Sequence, residues 1–248
     1  MLPRTLEPEV MDTADEAADY DAMDHSQVNR VFVDDFLTEV RRQRPQASDK
    51  KSESGRPMSG QSSLDPGPST LDLLPILDVG TGTALIPIEL ASRKLGFHIT
   101  AVDLAAEMLA VGQRNVERAG HCDCITLERV DAKGLPYPDA AFHAVMSNSI
   151  IHHIPQPRGA VAEMLRVLKP GGLLFIRDLL RPETADEVEQ LVRTYAGEES
   201  PRQQQLFRQS LHAALTVNEA AELMTSLNQP AHCVKQTTDR HWTITSRP

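Results

Sequence analysis

Three cysteines in 248 residues, Cys122, Cys124 and Cys233, are too few for a disulfide framework, and one Cys-x-Cys without a second ligand pair is not a zinc pattern. Such sparse thiol usage fits a reducing compartment, so the expectation is a cytoplasmic protein. Aromatic residues make up only 4% of the chain, with Trp242 the single tryptophan. No apolar run is long enough to span a bilayer, and the acidic N-terminus lacks the basic start and apolar core of a signal peptide. No membrane partner is therefore expected. Positive charge is also in short supply: 25 Lys and Arg against 35 Asp and Glu leave a formal charge of -10. That balance disfavours capture of nucleic acid and points to a small-molecule substrate, while leaving the oligomeric state unknown.

What is present divides into three parts. Residues 1–42 hold eight acidic residues against one arginine in their first 24 positions. They then hold a helical pattern in which Val28, Val31, Phe32, Phe36, Leu37 and Val40 share a face, so this part reads as an N-terminal cap segment with a helix. Residues 43–70 contain only Ala47, Met58 and Leu64 as apolar side chains and read as a flexible linker or insertion. From residue 71 to 248 apolar strands alternate with amphipathic helices, as a parallel sheet covered on both faces requires. The spacing predicts strands at 75–80, 98–104, 124–130, 142–151 and 173–180, with helices at 84–94, 105–119 and 157–168. A helical insertion follows at about 183–214, with Val188, Leu191, Val192 and Tyr195 on one side of its first helix. Thr216 and Glu219 then open another helix with a capping box, and an antiparallel hairpin over 231–245 closes the sheet.

The chemistry concentrates where the first two strands end. Asp78, Gly80, Thr81 and Gly82 lie in DVGTGTA, where the chain turns sharply into a helix whose free N–H groups face a ligand. Asp103 ends the second strand, where a carboxylate can accept hydrogen bonds from both hydroxyls of a ribose and disfavours a 2'-phosphate. The absence of Lys-Ser or Lys-Thr after the glycines excludes a kinase-like phosphate loop. The ribose site alone leaves a dinucleotide and an adenosyl sulfonium open.

The stretch 76–91 resembles the first motif of the Rossmann-like (class I) S-adenosylmethionine-dependent methyltransferase family, with Ala84 at the third small position in place of glycine. Asp103 matches that family's ribose carboxylate, and Leu104 and Met108 match the apolar flank of the adenine. The resemblance continues through VDAKGLPYPDAAFHAV, where Asp131 and Ala132 fall at the adenine edge, and through SNSIIHHI, which places Asn148 beside the methyl donor. EMLRVLKPGGLLFIRD matches the following helix, turn and strand. Covering 71–180 closely, the resemblance implies an α/β fold of seven mostly parallel strands with a terminal antiparallel hairpin and helices on both faces. It also implies S-adenosyl-L-methionine as the cofactor.

The expected activity is methyl transfer to a small molecule, possibly carboxylate-bearing. His152 and His153 are candidate general bases, with Asp178 as an orienting or amine-binding group. Arg177 and Arg181 are candidate carboxylate receptors, and Tyr20, His25, Asn29 and Tyr195 candidate substrate contacts, the first three from a lid. His25, His152, His153 and His241 show no ligand-type spacing, so no metal is expected. Three alternatives share the cofactor logic: methylation of RNA or protein, a non-catalytic S-adenosylmethionine-binding regulatory protein, and an NAD-dependent oxidoreductase.

Overall fold

The computed structural model describes residues 2–10, 12–42 and 74–248. The expected linker at 43–70 lies outside the described residues. In chain order the cap contributes α1 (Ala14–Asp21) and α2 (Ser26–Arg42). The sheet domain follows as β1 (Leu74–Val79), α3 (Leu85–Ser92), β2 (Phe97–Asp103), α4 (Ala106–Ala119), β3 (Ile125–Arg129), β4 (Phe142–Asn148), α5 (Arg158–Val167) and β5 (Leu168–Leu179). The C-terminal part adds α6 (Ala185–Ala196), α7 (Pro201–Ala213), α8 (Val217–Ser226), β6 (Val234–Gln236) and β7 (His241–Ser246).

The seven strands pair in the order β3-β2-β1-β4-β5-β7-β6, and β7 alone runs antiparallel to its neighbours. Alternation along each strand sends its side chains to two separate cores. Leu77, Val79, Leu174 and Ile176 meet α5 and α8 through Val161, Met164, Ala220 and Met224. Ile76, Ile99, Leu173 and Phe175 meet α2, α3 and α4 through Phe32, Phe36, Leu90 and Val116. Both faces are thus covered, which explains why the strands read as nearly continuous apolar runs. No helix among the described residues is long and apolar enough to cross a membrane.

Two side-chain orientations depart from the sequence reading. Val28 and Val31 are exposed, because the inward stripe of α2 runs through Asn29, Phe32, Val33, Phe36 and Leu37. Tyr195 likewise points outward from α6 while Val188 and Val192 pack inward. The hairpin is also shorter on its first side, since 231–233 form a 3-10 turn before β6 begins. The expected capping box at Thr216 and Glu219 is present.

The acidic N-terminal run finds specific partners rather than one basic surface. Glu107 N–H donates to Asp12, Asn115 donates to Asp21, and Lys133 pairs with Glu9. Asp19 pairs with Arg202. These contacts lay residues 2–10 and α1 across the C-terminal ends of the strands, over the region where an open α/β sheet binds its ligand.

Candidate active site

At the end of β1 the backbone turns through Gly80 (φ 77°) and Gly82 (φ 55°). The N–H groups of Gly80 and Thr81 both donate to the carbonyl of Val102, which fastens this turn to β2. A Cβ on Gly80 would stand 2.0 Å from Cγ2 of Ile150, so only glycine fits. Ala84 opens α3 at φ 64°, a left-handed conformation that glycine adopts more easily.

Asp103 holds the same turn from the other side. Its Oδ2 accepts from Gly82 N–H at 2.7 Å and its Oδ1 from Ala105 N–H at 2.9 Å, while burial raises its pKa. Asp78 is 2% exposed, and burial with the nearby Asp103 charge pushes its pKa up to about 7. Asp78 Oδ2 and Thr81 Oγ1 are buried beside each other without an aligned hydrogen bond. Leu104 and Met108 form one apolar wall of the resulting groove, and Val130, Asp131 and Ala132 form the opposite one. Asp131 accepts from Lys133 N–H at 2.9 Å. Glu9, Val10 and Ile150, none of them singled out from sequence, complete the lining.

A second cavity of about 290 Å³ opens beside the groove, between the cap and α6–α7. Tyr20, Asn148, Ser149 and His153 line both spaces. Tyr20 is packed against Ala17, Ala105 and Met108, and its ring lies 4.6 Å from that of His25. Burial, with the charges of Asp103 and Asp78, raises the Tyr20 phenol to about 12, so it stays protonated. Ser149 sits at φ 59°, unusual for a residue with a Cβ, at the point where the two cavities join. His25, Asn29 and Tyr195 line the second cavity only.

Residues 77–176 match the family model described as a methyltransferase domain. Over 107 residues the chain is 37% identical to a demethylmenaquinone methyltransferase of Clavibacter sepedonicus, covering 43% of this chain and 42% of that protein. Over 101 residues it is 35% identical to a phosphatidylethanolamine N-methyltransferase of Cereibacter sphaeroides, covering 41% and 48%. Each match therefore spans less than half of the curated relative. Among solved structures, a putative S-adenosyl-L-methionine-dependent methyltransferase from Methanococcus maripaludis shares the fold over 98% of this chain and 97% of its own, at TM-score 0.64 and 14% identity. Residues 77–176 thus match a methyltransferase domain, and the chain as a whole has the class I Rossmann-like fold.

For a methyltransferase the groove has the right chemistry for its cofactor. S-adenosylmethionine is a cation carrying a ribose, and the orphaned Asp78 oxygen and the free acceptor capacity of Asp103 suit those two features. The glycine turn lets the backbone approach closely, and Leu104 and Met108 offer apolar surface for a purine. Ile150 reaches over Gly80 and lines the groove beside it.

Several of the expected substrate and catalytic groups are engaged elsewhere. Arg177 does not line the acceptor cavity: its guanidinium donates to Thr243 Oγ1 at 3.0 Å and Asp35 Oδ2 at 2.7 Å, against the rings of Phe32 and Phe175. Arg181 donates to Ala214 O and to Glu219 Oε1 at 2.6 Å, and it borders a separate cavity with Leu180, Glu187 and Thr216 rather than the one beside the groove. Asp178 is fully buried and accepts from Ile151 N–H, Leu179 N–H and His152 Nδ1–H. It ties the loop after β4 to β5 and touches neither cavity.

His152 is 3% exposed, with Nδ1 2.5 Å from Asp178 and Nε2 3.4 Å from Glu7 Oε1. Burial works against its protonation, but Asp178 outweighs burial and raises its pKa. His153 faces Glu7 Oε1 at 3.2 Å through Nδ1, and burial with the neighbouring His152 charge lowers it to about 3. Sequence spacing gave no hint of Glu7, which lies some 145 residues away and arrives because Arg4 bonds to the carbonyls of His152, Ile154, Pro155 and Ala213.

Proposed function

We propose that this protein transfers a methyl group from S-adenosyl-L-methionine to a small-molecule acceptor held in the cavity between the cap and α6–α7. The observation that carries this reading is the junction: Tyr20, Asn148, Ser149 and His153 wall both the glycine groove and the second cavity, so a methyl donor in one faces an acceptor in the other. When bound, the cofactor supplies an activated sulfonium methyl, and the protein's task is alignment and exclusion of water. Asp103, Asp78 and the glycine turn hold the donor. Tyr20 and His25 roof the passage, and Asn148 and Ser149 orient the acceptor at the tip of β4.

The lining favours an acceptor bearing an amine over one bearing a carboxylate. Glu16, Asp19, Asp24 and Glu199 face the second cavity, against Arg240 as its one arginine. That guanidinium already stacks on the Tyr195 ring at 3.4 Å. His25 and His241 are held uncharged at neutral pH by burial, His241 with a pKa near 4, so they do not offset the carboxylates. The cap over the cavity supports a small acceptor rather than RNA or protein.

Calorimetry with S-adenosylmethionine, S-adenosylhomocysteine and NAD tests the cofactor, and a labelled-methyl screen of amines, acids, phenols and quinols tests the acceptor. Tight binding of both adenosyl ligands with label transfer to an amine supports the reading. NAD binding in their place removes it, and adenosyl binding without transfer to any acceptor favours a regulatory protein.

A further inference from the structure

Three side chains from distant parts of the chain converge beneath the N-terminal segment. Glu7 Oε1 lies 3.4 Å from His152 Nε2 and 3.2 Å from His153 Nδ1, and all three atoms fall within 4.8 Å of one another. We propose that Glu7, His152 and His153 bind a divalent transition-metal ion of the zinc class through these atoms. The site is independent of the methyl-transfer reading.

The geometry agrees with coordination. With zinc–nitrogen and zinc–oxygen bonds of about 2.0–2.1 Å, a tetrahedron separates its ligand atoms by about 3.3–3.4 Å, close to the two spacings from Glu7 Oε1 to the histidine nitrogens. Glu7 Oε1 and His153 Nδ1 are buried without any hydrogen-bond partner, although each sits next to a polar atom. The Glu7 side chain is 7% exposed, and its other oxygen accepts from Ser210. A buried acceptor facing two imidazole nitrogens with no aligned hydrogen bond is better satisfied by a shared cation than by either histidine. The surrounding groups fit as well: Asp178 accepts from His152 Nδ1–H, which fixes the tautomer that leaves Nε2 as the ligand atom. Imidazole and carboxylate together suit zinc, cobalt or iron rather than magnesium or calcium.

Three protein ligands leave a coordination position, and His152 and His153 both line the acceptor cavity, which gives an ion its entry path. Binding would also clamp residues 2–10 to the loop after β4. Glu9 and Val10 of that segment wall the cofactor groove, so the ion would hold one side of the groove in place.

The test uses the full chain, stripped with a chelator and titrated with Co²⁺ by calorimetry and visible absorption. One ion per chain is expected, with the spectrum of a four- or five-coordinate site lacking thiolate charge-transfer bands. Glu7→Gln and His153→Gln should each weaken binding about tenfold or more, while His232→Gln, at an exposed position, leaves it unchanged. Proton NMR of the Co²⁺-loaded wild type should show exchangeable, strongly shifted imidazole N–H signals, a readout that needs no variant to fold. Absence of those signals, thiolate bands, or unchanged affinity in folded variants at both ligand positions would overturn the site.

Discussion

The carboxylate of Asp103 spans the glycine turn, accepting from Gly82 N–H with one oxygen and from Ala105 N–H with the other. The group expected to hold a ribose therefore also shapes the loop under the rest of the ligand. Asp103→Ala should lower S-adenosylhomocysteine affinity about a hundredfold, from two lost charge-assisted hydrogen bonds, and should lower stability by about 1–3 kcal/mol. Calorimetry and urea denaturation separate the two effects; unchanged affinity takes Asp103 out of the proposed site.

Gly80→Ala meets both a positive φ and the Ile150 side chain. It should abolish measurable cofactor binding and lower the melting temperature. Adding Ile150→Ala should recover part of the stability by removing the collision, while the backbone strain persists. If the single variant binds and melts like the wild type, the turn is not as tight as described.

Asp78 predicts opposite pH trends for stability and binding. Its folded pKa near 7 lies above the ordinary value of 3.8, so between those limits the folded state binds more protons than the unfolded state. The Asp78 contribution to stability is therefore fully present below about pH 4 and is lost as pH rises through 7. A cationic ligand instead needs the ionised carboxylate, so affinity should rise with pH up to about tenfold per unit below 7. Asp78→Asn should flatten both profiles; melting curves and calorimetry between pH 5 and 8 are the check, and parallel wild-type trends would contradict the assignment.

Asp178 and Arg177 should behave as structural groups. Asp178→Asn breaks a buried pair with His152 and disturbs the tethered amides of Ile151, His152 and Leu179, and Arg177→Ala removes the bonds to Thr243 and Asp35. Asp178→Asn should cost about 3–5 kcal/mol in urea denaturation, and Arg177→Ala, whose partner Asp35 is half exposed, about 1–3 kcal/mol. Arg177→Ala should nonetheless keep wild-type affinity for S-adenosylhomocysteine and for any acceptor found. A raised acceptor KM with intact stability would restore Arg177 to the substrate site.

The glycine turn and the carboxylate beside it were legible because they sit at strand ends, where local pattern fixes position: Gly80, Gly82 and Asp103 follow apolar runs that can only be buried strands. Asp131, Ala132 and Asn148 were pointed to by the family resemblance rather than by pattern alone. Arg177 and Arg181 obeyed the strand-end pattern too and still went elsewhere, since β7 and α2 cover one and α8 receives the other. Nothing in local sequence reports which neighbour will claim a guanidinium.

The amino-acid sequence by itself determined the order of strands and helices, the two-faced burial of the sheet and the glycine turn, because hydrophobic period and turn chemistry act over a few residues. Only the tertiary structure decided which polar groups meet. Glu7 beside His152 and His153, the acidic lining of the second cavity, and Asp178 as a buried tether all depend on how residues 2–10 and α6–α7 close over the strand ends. Those contacts join positions far apart in the chain, where spacing carries no information.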